Sequence, residues 1–272
     1  MNVDEIRDVC INVLLTNSSK IFFEIRKNNT FDSYMKKNYL YLSILTVLVL
    51  FSGCGLSKRV EKPSTLKILS YNVRNARGMD DVTDYDRVAN VIKRIDADCV
   101  ALQELDSATE RSNGIVVLDE LARRTGMHAT YNKSIDYQGG GYGIGILTKC
   151  KPIHSKAIPL PGREERRSLL VVEMPDYVIC STHWSLTQKD RVNSVKIINE
   201  LLEKQTNKPV FLAGNLNAVL ESEKMQKLTQ KWTILNNPFQ PTIPVVNPTK
   251  CIDYVLVKDN PKFKFNVLET KE

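Results

Sequence analysis

Three apolar runs in this chain stop on side chains that carry hard oxygen donors. Residues 66–73, Leu66-Lys-Ile-Leu-Ser-Tyr-Asn-Val73, deliver Asn72. Residues 99–106, Cys99-Val-Ala-Leu-Gln-Glu-Leu-Asp106, deliver Glu104. Residues 210–217, Val210-Phe-Leu-Ala-Gly-Asn-Leu-Asn217, end in a Gly-Asn-x-Asn turn. A carboxylate set among amide oxygens is the kind of donor group that Mg2+ prefers, whereas Glu104 alone reads equally as a solvated charge at a strand end. A fourth run closes on Ser181-Thr-His183, and an imidazole there is either a packed side chain or a proton-handling group. Side chains of these types at the ends of several strands suggest one site.

The elements that must position them follow from hydrophobic period. The four runs are short, rich in Val, Ile, Leu and Ala, and bounded by polar residues, as buried strands are. Thr83 or Asp84 caps a helix whose Val88, Val91, Ile92 and Ile95 share a face, and residues 115–125 form a second helix closed by Gly126. Gly139-Gly-Gly-Tyr-Gly143 is a tight turn into a strand at 144–148. Residues 168–174 and 177–182 form a hairpin about Pro175-Asp176. Val192, Val195, Ile198 and Leu202 mark a third helix, and residues 251–257 and 263–268 two more strands. Helices and strands interleave, yet several strands pair as hairpins, which favours an α+β fold with mixed sheets over a parallel, doubly wound one.

The chain has 272 residues, 42% hydrophobic and 25% charged, with room for one large domain. Of the net charge of +7, the first 64 residues supply 9 Lys and Arg against 6 Asp and Glu, leaving a surplus of 4 on the rest. So small a surplus, without interleaved aromatic and basic residues, argues against nucleic acid as a partner. No C-x-x-C pair occurs, so Cys99, Cys150, Cys180 and Cys251 read as free thiols. Met35-Lys-Lys, the apolar run 39–51 and Phe51-Ser-Gly-Cys54 resemble a bacterial lipoprotein signal peptide, with Cys54 as the lipidated residue. The expected organisation is an upstream extension from a mis-assigned start at 1–34, the signal at 35–54, a linker at 55–65 and the domain at 66–272. The expected location is the cell envelope, anchored to a membrane.

Taken together, Ser70-Tyr-Asn-Val73, Leu102-Gln-Glu-Leu105, Tyr142-Gly with Ile146-Leu-Thr148, Ser181-Thr-His183, Gly214-Asn-Leu-Asn217 and Ile252-Asp-Tyr254 resemble the ordered motifs of the endonuclease/exonuclease/phosphatase superfamily. The resemblance covers residue 66 to the end. It implies a four-layer sandwich of two mixed β-sheets flanked by helices, and phosphoester hydrolysis with Mg2+ or Mn2+. By the same resemblance Glu104 and Asn72 hold the metal, Asn72 and Tyr142 meet the phosphate, His183 and Asn217 act on it, and Asp253 orients a further histidine. Arg77-Gly-Met-Asp, Thr125-Gly-Met-His128 and residues 137–143 are similar to a bacterial subgroup related to fungal wall and GPI-lipid remodelling proteins, in which Arg111 and Arg167 would contact substrate phosphate. The expected substrate is a phosphoester, with lipid, inositol and nucleotide phosphates all open to the same core, and a monomer is the expected state.

The sequence departs from that pattern twice. Asn215 stands where the family has an aspartate, and an amide cannot accept a proton from the attacking water. No Ser-Asp-His tripeptide occurs, so the family's last strand is expected to be missing, leaving an unpaired apolar edge beside residues 251–257. These departures predict a catalytically impaired hydrolase, or alternatively a non-catalytic binding lipoprotein with the same fold.

Overall fold

In the computed structural model, residues 9–17, 64–205 and 207–271 are described. The signal at 35–54 with Cys54, and nearly all of the linker, lie outside them. Among the described residues, twelve strands form two sheets. The first runs β12 (Phe263–Lys271), β1 (Val9–Asn17), β2 (Ser64–Asn72), β3 (Cys99–Ser107), β5 (Gly140–Thr148), β4 (His128–Tyr137). The second runs β10 (Trp232–Ile234), β11 (Asp253–Lys258), β9 (Val210–Asn215), β8 (Val178–His183), β7 (Arg167–Glu173), β6 (His154–Leu160). Each sheet is mixed. Its parallel pair is β2 with β3 in one and β8 with β9 in the other, and every other pairing is antiparallel. Of the stretch read as an upstream extension, Val9–Asn17 lies in the first sheet between β2 and β12.

The period-two alternation of the inner strands builds the layers. Ile68, Cys99, Ala101 and Ile146 face Leu170, Val172, Ile179, Phe211 and Val255 across the gap between the sheets. The alternate residues Leu69, Val100, Leu102 and Leu147 turn outward onto α1 (Tyr85–Ile95) and α2 (Val117–Thr125), through Val88, Val91, Ile92, Leu118 and Leu121. Likewise Val171, Cys180, Leu212 and Leu256 meet α3 (Gln188–Leu202) and α4 (Glu223–Leu228). This is the expected four-layer sandwich. Each parallel pair is joined through one helix, as β2-α1-β3 and β8-α3-β9. Asp84 caps α1 by accepting from the Arg87 amide at 2.9 Å. Gly126, at φ 73°, ends α2, which begins at Val117 rather than 115.

Three expectations need correction. The strand carrying Glu104 does not stop there, because β3 continues to Ser107. Residues 140–143 are strand, and the turn before them is Gln138-Gly139, at φ 44° and 75°. The edge expected along 251–257 is covered: β11 is bonded on one flank to β9, and on the other β10 pairs with residues 256–258 while the Leu235 amide and Asn236 Oδ1 meet Val255. The edge strands β4 and β6 escaped the sequence reading because β6 is largely exposed, β4 has no buried residue, and neither shows a clean alternation.

Phe211 is fully buried between the sheets, with Tyr177 edge-on at 6.3 Å and Phe265 at 6.5 Å between ring centroids. Truncation there removes the ring from a gap that backbone on both sides keeps open. Phe211→Ala is therefore expected to lower unfolding free energy by about 3–5 kcal/mol in a denaturant titration. A loss below about 1 kcal/mol would mean that the sheets close over the void.

Candidate active site

Glu104 owes its position to one extra residue. Opposite β5, Leu102 pairs with Gly145 and Leu105 with Gly143, so three steps on β3 match two on its partner. The surplus is taken up at Glu104, whose φ of 60° lies in the left-handed region. On the other flank of β5 a Cβ at Gly143 would stand 2.0 Å from the Asn132 carbonyl oxygen of β4, where that strand has its own register shift, so glycine is required there by β4. Thus displaced, Glu104 accepts from Asn72 Nδ2 at 2.7 Å through Oε1, while Asn72 Oδ1 accepts from the Arg74 amide at 3.1 Å. Both ends of the Asn72 amide are fixed. Glu104 Oε2 has no partner among the described residues.

The second sheet brings three more of the expected residues into one row. His183 is the register partner of Asn215 on one side, and Asp253 is its partner on the other. Gly214 precedes them at φ 154°, where a Cβ would meet the Thr182 carbonyl oxygen at 2.0 Å. Asn215 Oδ1 accepts from the Asn217 amide at 3.0 Å, and Asn217 Nδ2 donates to the Trp184 carbonyl at 2.8 Å. The turn thus consumes the one oxygen of the Asn215 side chain and leaves N–H donors. An aspartate would have kept a second oxygen.

Charge ties the two rows together. Asp253 accepts from Thr242 Oγ1 at 2.6 Å, yet burial, with the nearby negative charge of Glu104 adding to it, pushes its carboxyl up to about 6. Desolvation, aided by the Arg167 guanidinium, holds the His183 imidazole down at about 3, so it is neutral at pH 7. Tyr142 is pushed far above the usual phenol range by burial and then by Glu104. Arg167 is buried and pairs with Glu165 at 3.2 Å. Burial raises the Glu165 carboxyl, and Glu104 adds to that. Glu164, by contrast, falls to about 2: against its desolvation it accepts from Ser185 Oγ at 2.6 Å, the Leu186 amide at 2.6 Å and Thr187 Oγ1 at 3.1 Å.

Of the expected site residues, Asn72, Glu104, Tyr142, Arg167, His183, Asn215, Asn217 and Asp253 gather at this end of the sandwich, and Cys54 is outside the described residues. Arg111 lines the same cleft but is already engaged. It donates through Nε and Nη2 to the fully buried Asp106 carboxylate at 2.6 and 2.7 Å, and lies over the Tyr137 and Tyr142 rings at 4.6 and 5.5 Å. Sequence reading missed Asp106, Glu165 and Thr242. Asp106 alone left a trace, as the carboxylate two positions beyond Glu104. Nor did it foresee the turn at Arg74, Asn75 and Ala76, three consecutive non-glycine residues at φ 45°, 49° and 63°. Each costs on the order of 1 kcal/mol, and such outliers concentrate at functional sites.

Among the described residues no three of His, Cys, Asp and Glu converge. Glu104 offers a carboxylate with a free oxygen beside the amide oxygen of Asn72. That set suits Mg2+, which keeps several waters and takes one or two protein carboxylates together with phosphate oxygens. It suits softer ions poorly.

An endonuclease/exonuclease/phosphatase family model matches residues 69–268. No curated protein matches the chain. Among solved structures, an endonuclease/exonuclease/phosphatase from Beutenbergia cavernae is 19% identical with a TM-score of 0.58, over 71% of this chain and 64% of that one. This chain therefore spans under two thirds of that protein's length. A mannosyl-6-phosphatase from Bacteroides thetaiotaomicron is 17% identical with a TM-score of 0.57, over 71% and 85% of the two chains. The human Nocturnin catalytic domain, solved with a sulfate anion bound, is 13% identical with a TM-score of 0.53, over 71% and 82%. These likenesses are in fold.

The raised carboxyl of Asp253 has a definite sign. The folded chain holds that proton more tightly than the unfolded one, so the stability it contributes is present at low pH and is lost as pH rises from about 4 to about 6. The neutral His183 acts oppositely, losing stability as pH falls below its unfolded value. Asp253→Asn isolates the first effect. The variant should match the parent at pH 4 and exceed it at pH 7 by up to about 3 kcal/mol in unfolding free energy. A variant less stable than the parent at pH 7 would place the carboxylate in a favourable, ionised role.

Proposed function

This chain belongs to the endonuclease/exonuclease/phosphatase family, and we propose that it is a metal-dependent phosphoester hydrolase whose chemistry is impaired at Asn215. The observation that carries the reading is the cleft itself. One oriented carboxylate, Glu104, faces a row of His183, Asn215 and Asp253 across the ends of two sheets.

Glu104 and Asn72 would hold Mg2+, which when bound neutralises charge on the phosphate oxygens. The chain's own groups do the rest. Tyr142, kept protonated, is a hydrogen-bond donor, and His183, kept neutral, donates through one ring nitrogen without competing with a cation for the site. Arg167 supplies fixed positive charge beside it. Asn217, tied to the Trp184 carbonyl, holds its amide in one orientation. What is lacking is a proton acceptor at Asn215, and the loss of a general base typically costs about 10²- to 10⁴-fold in rate. The same amide favours a second reading, a binding protein that holds phosphoesters in this cleft without turning them over. Nucleic acid is not the expected ligand, because the domain's surplus of 4 positive charges is too small. The proposed location is the cell envelope, with Cys54 lipidated; Cys54→Ala should then release the protein from the membrane fraction, and unchanged association would end that part of the proposal.

Calorimetric titration with Mg2+ tests the site. Glu104→Gln should abolish binding, and Asn215→Asp, by adding a carboxylate, should tighten it by about tenfold. Equal affinity in Glu104→Gln would move the metal elsewhere. The unaltered chain should hydrolyse bis-p-nitrophenyl phosphate only feebly with Mg2+. A turnover near the ~10 s⁻¹ typical of enzymes would overturn the impairment.

A further inference from the structure

A cavity of 390 Å³ lies beside Asn217, between the turn after β9, the start of α4 and the loop that leads into β11. Its polar lining is Lys224, Lys250, Asn217 and Thr249, its apolar lining includes Ile243 and Ile252, and no aspartate or glutamate lines it. The loop is fixed by its own backbone. Ile243 and Lys250 exchange both hydrogen bonds, at 2.9 and 3.0 Å, and Thr242 Oγ1 accepts from the Ile252 amide at 3.2 Å. Lys224 sets the chemistry of the cavity. It is only 8% exposed, yet its ammonium has neither a hydrogen bond nor an ion pair among the described residues. Its neighbour in sequence, Glu223, is committed to Lys227 at 2.6 Å. The charge that bears on it from α3 is Arg191, also positive and buried, whose Nη1 donates to the Ser185 carbonyl at 2.8 Å and whose Nε has no partner. Burial, and then Arg191, holds the Lys224 amine below its ordinary value. A buried cation facing another cation is costly to keep, and the cost is relieved by an anion.

We propose that this cavity binds a compact aliphatic monocarboxylate, with its anion at Lys224 and its hydrocarbon body against Ile243 and Ile252. The site is separate from the phosphoester reading and stands or falls without it. One buried ammonium balances one negative charge, whereas a dianion would leave its second charge against apolar walls, with Lys250 at the exposed rim screened by water. An ammonium is a point charge without the planar fork that favours phosphate, and the Asn217 amide and Thr249 hydroxyl can serve the second carboxylate oxygen. The volume lies at the small end of the range for ligand pockets, and the apolar walls reward a short branched chain over a bare ion.

Calorimetric titration of the full chain without Mg2+ tests this, with 3-methylbutanoate as the probe and with 3-methylbutan-1-ol, acetate and inorganic phosphate beside it. The branched carboxylate should bind with a Kd of about 0.1–1 mM. The alcohol, which keeps the body and lacks the charge, and acetate, which keeps the charge and lacks the body, should each bind at least about tenfold more weakly. Lys224→Met should weaken the branched carboxylate at least about tenfold while its melting temperature stays level or rises, because an apolar side chain of similar length replaces an unpaired buried charge. Lys250→Met, at the rim, should change affinity less than about threefold. Ile243→Ser should weaken 3-methylbutanoate and leave acetate unchanged. No binding of 3-methylbutanoate up to about 10 mM, acetate binding as tightly as the branched acid, or full affinity in Lys224→Met would each overturn the proposal. Phosphate binding more tightly than the carboxylate, and losing that affinity in Lys224→Met, would overturn the ligand class. The comparisons among ligands on the unaltered chain decide the matter even if Lys224→Met does not fold.

Discussion

One inserted residue in β3 governs this end of the molecule. Had the strand run straight, Glu104 would have kept the alternation of a buried strand, with no reason to meet Asn72. The bulge instead puts a non-glycine residue into the left-handed region, and the 2.7 Å bond from Asn72 offsets that cost. Past the bulge the strand resumes pairing with β5, which carries Asp106 into the interior, where it fixes Arg111. A single register shift thus orients the proposed metal ligand and positions an arginine of the cleft wall.

The site is also a problem of like charge. Burial, with Glu104 adding to it, raises the carboxyls of both Asp253 and Glu165, and Arg167, with Arg111 behind it, opposes this at Glu165. Such crowding is tolerable in a fold that buries two full faces of each sheet, because the packing between sheets and beneath the helices carries the stability. A cation or a phosphate-bound metal would relieve the repulsion, as expected of a cleft shaped for a ligand rather than for its own stability.

How much of this was legible in the sequence depends on how much each element buries. The inner strands β2, β3, β8, β9 and β11 were readable, because a strand covered on both faces must be a continuous apolar run with a polar stop. Those stops carry Asn72, His183 and Asn215, and Asp253 opens β11. The edge strands were not, since β6, with Pro159 in it, and the exposed β4 need satisfy no such constraint. The Glu104 bulge and the left-handed turn at Arg74 were equally hidden. The bulge shows only in the register with β5, distant in sequence, and neither turn nor bulge carries a glycine of its own to announce it. The unpaired edge expected at 251–257 failed for a related reason: the short strand Trp232–Ile234 and the two residues after it, Leu235 and Asn236, flank β11, and so short a segment leaves almost no pattern.

Each sheet is centred on a parallel pair joined through one helix, β2-α1-β3 and β8-α3-β9. Asn72 and Glu104 come from the first unit, His183 and Asn215 from the second. Each unit closes over a few dozen residues and can form from contacts local to it, whereas the two polar pairs meet only after the sheets have docked. The cleft is accordingly the last thing the chain makes. Any species with its secondary structure formed but its sheets still apart would be blind to ligand, and ligand would act on folding solely by trapping the docked state.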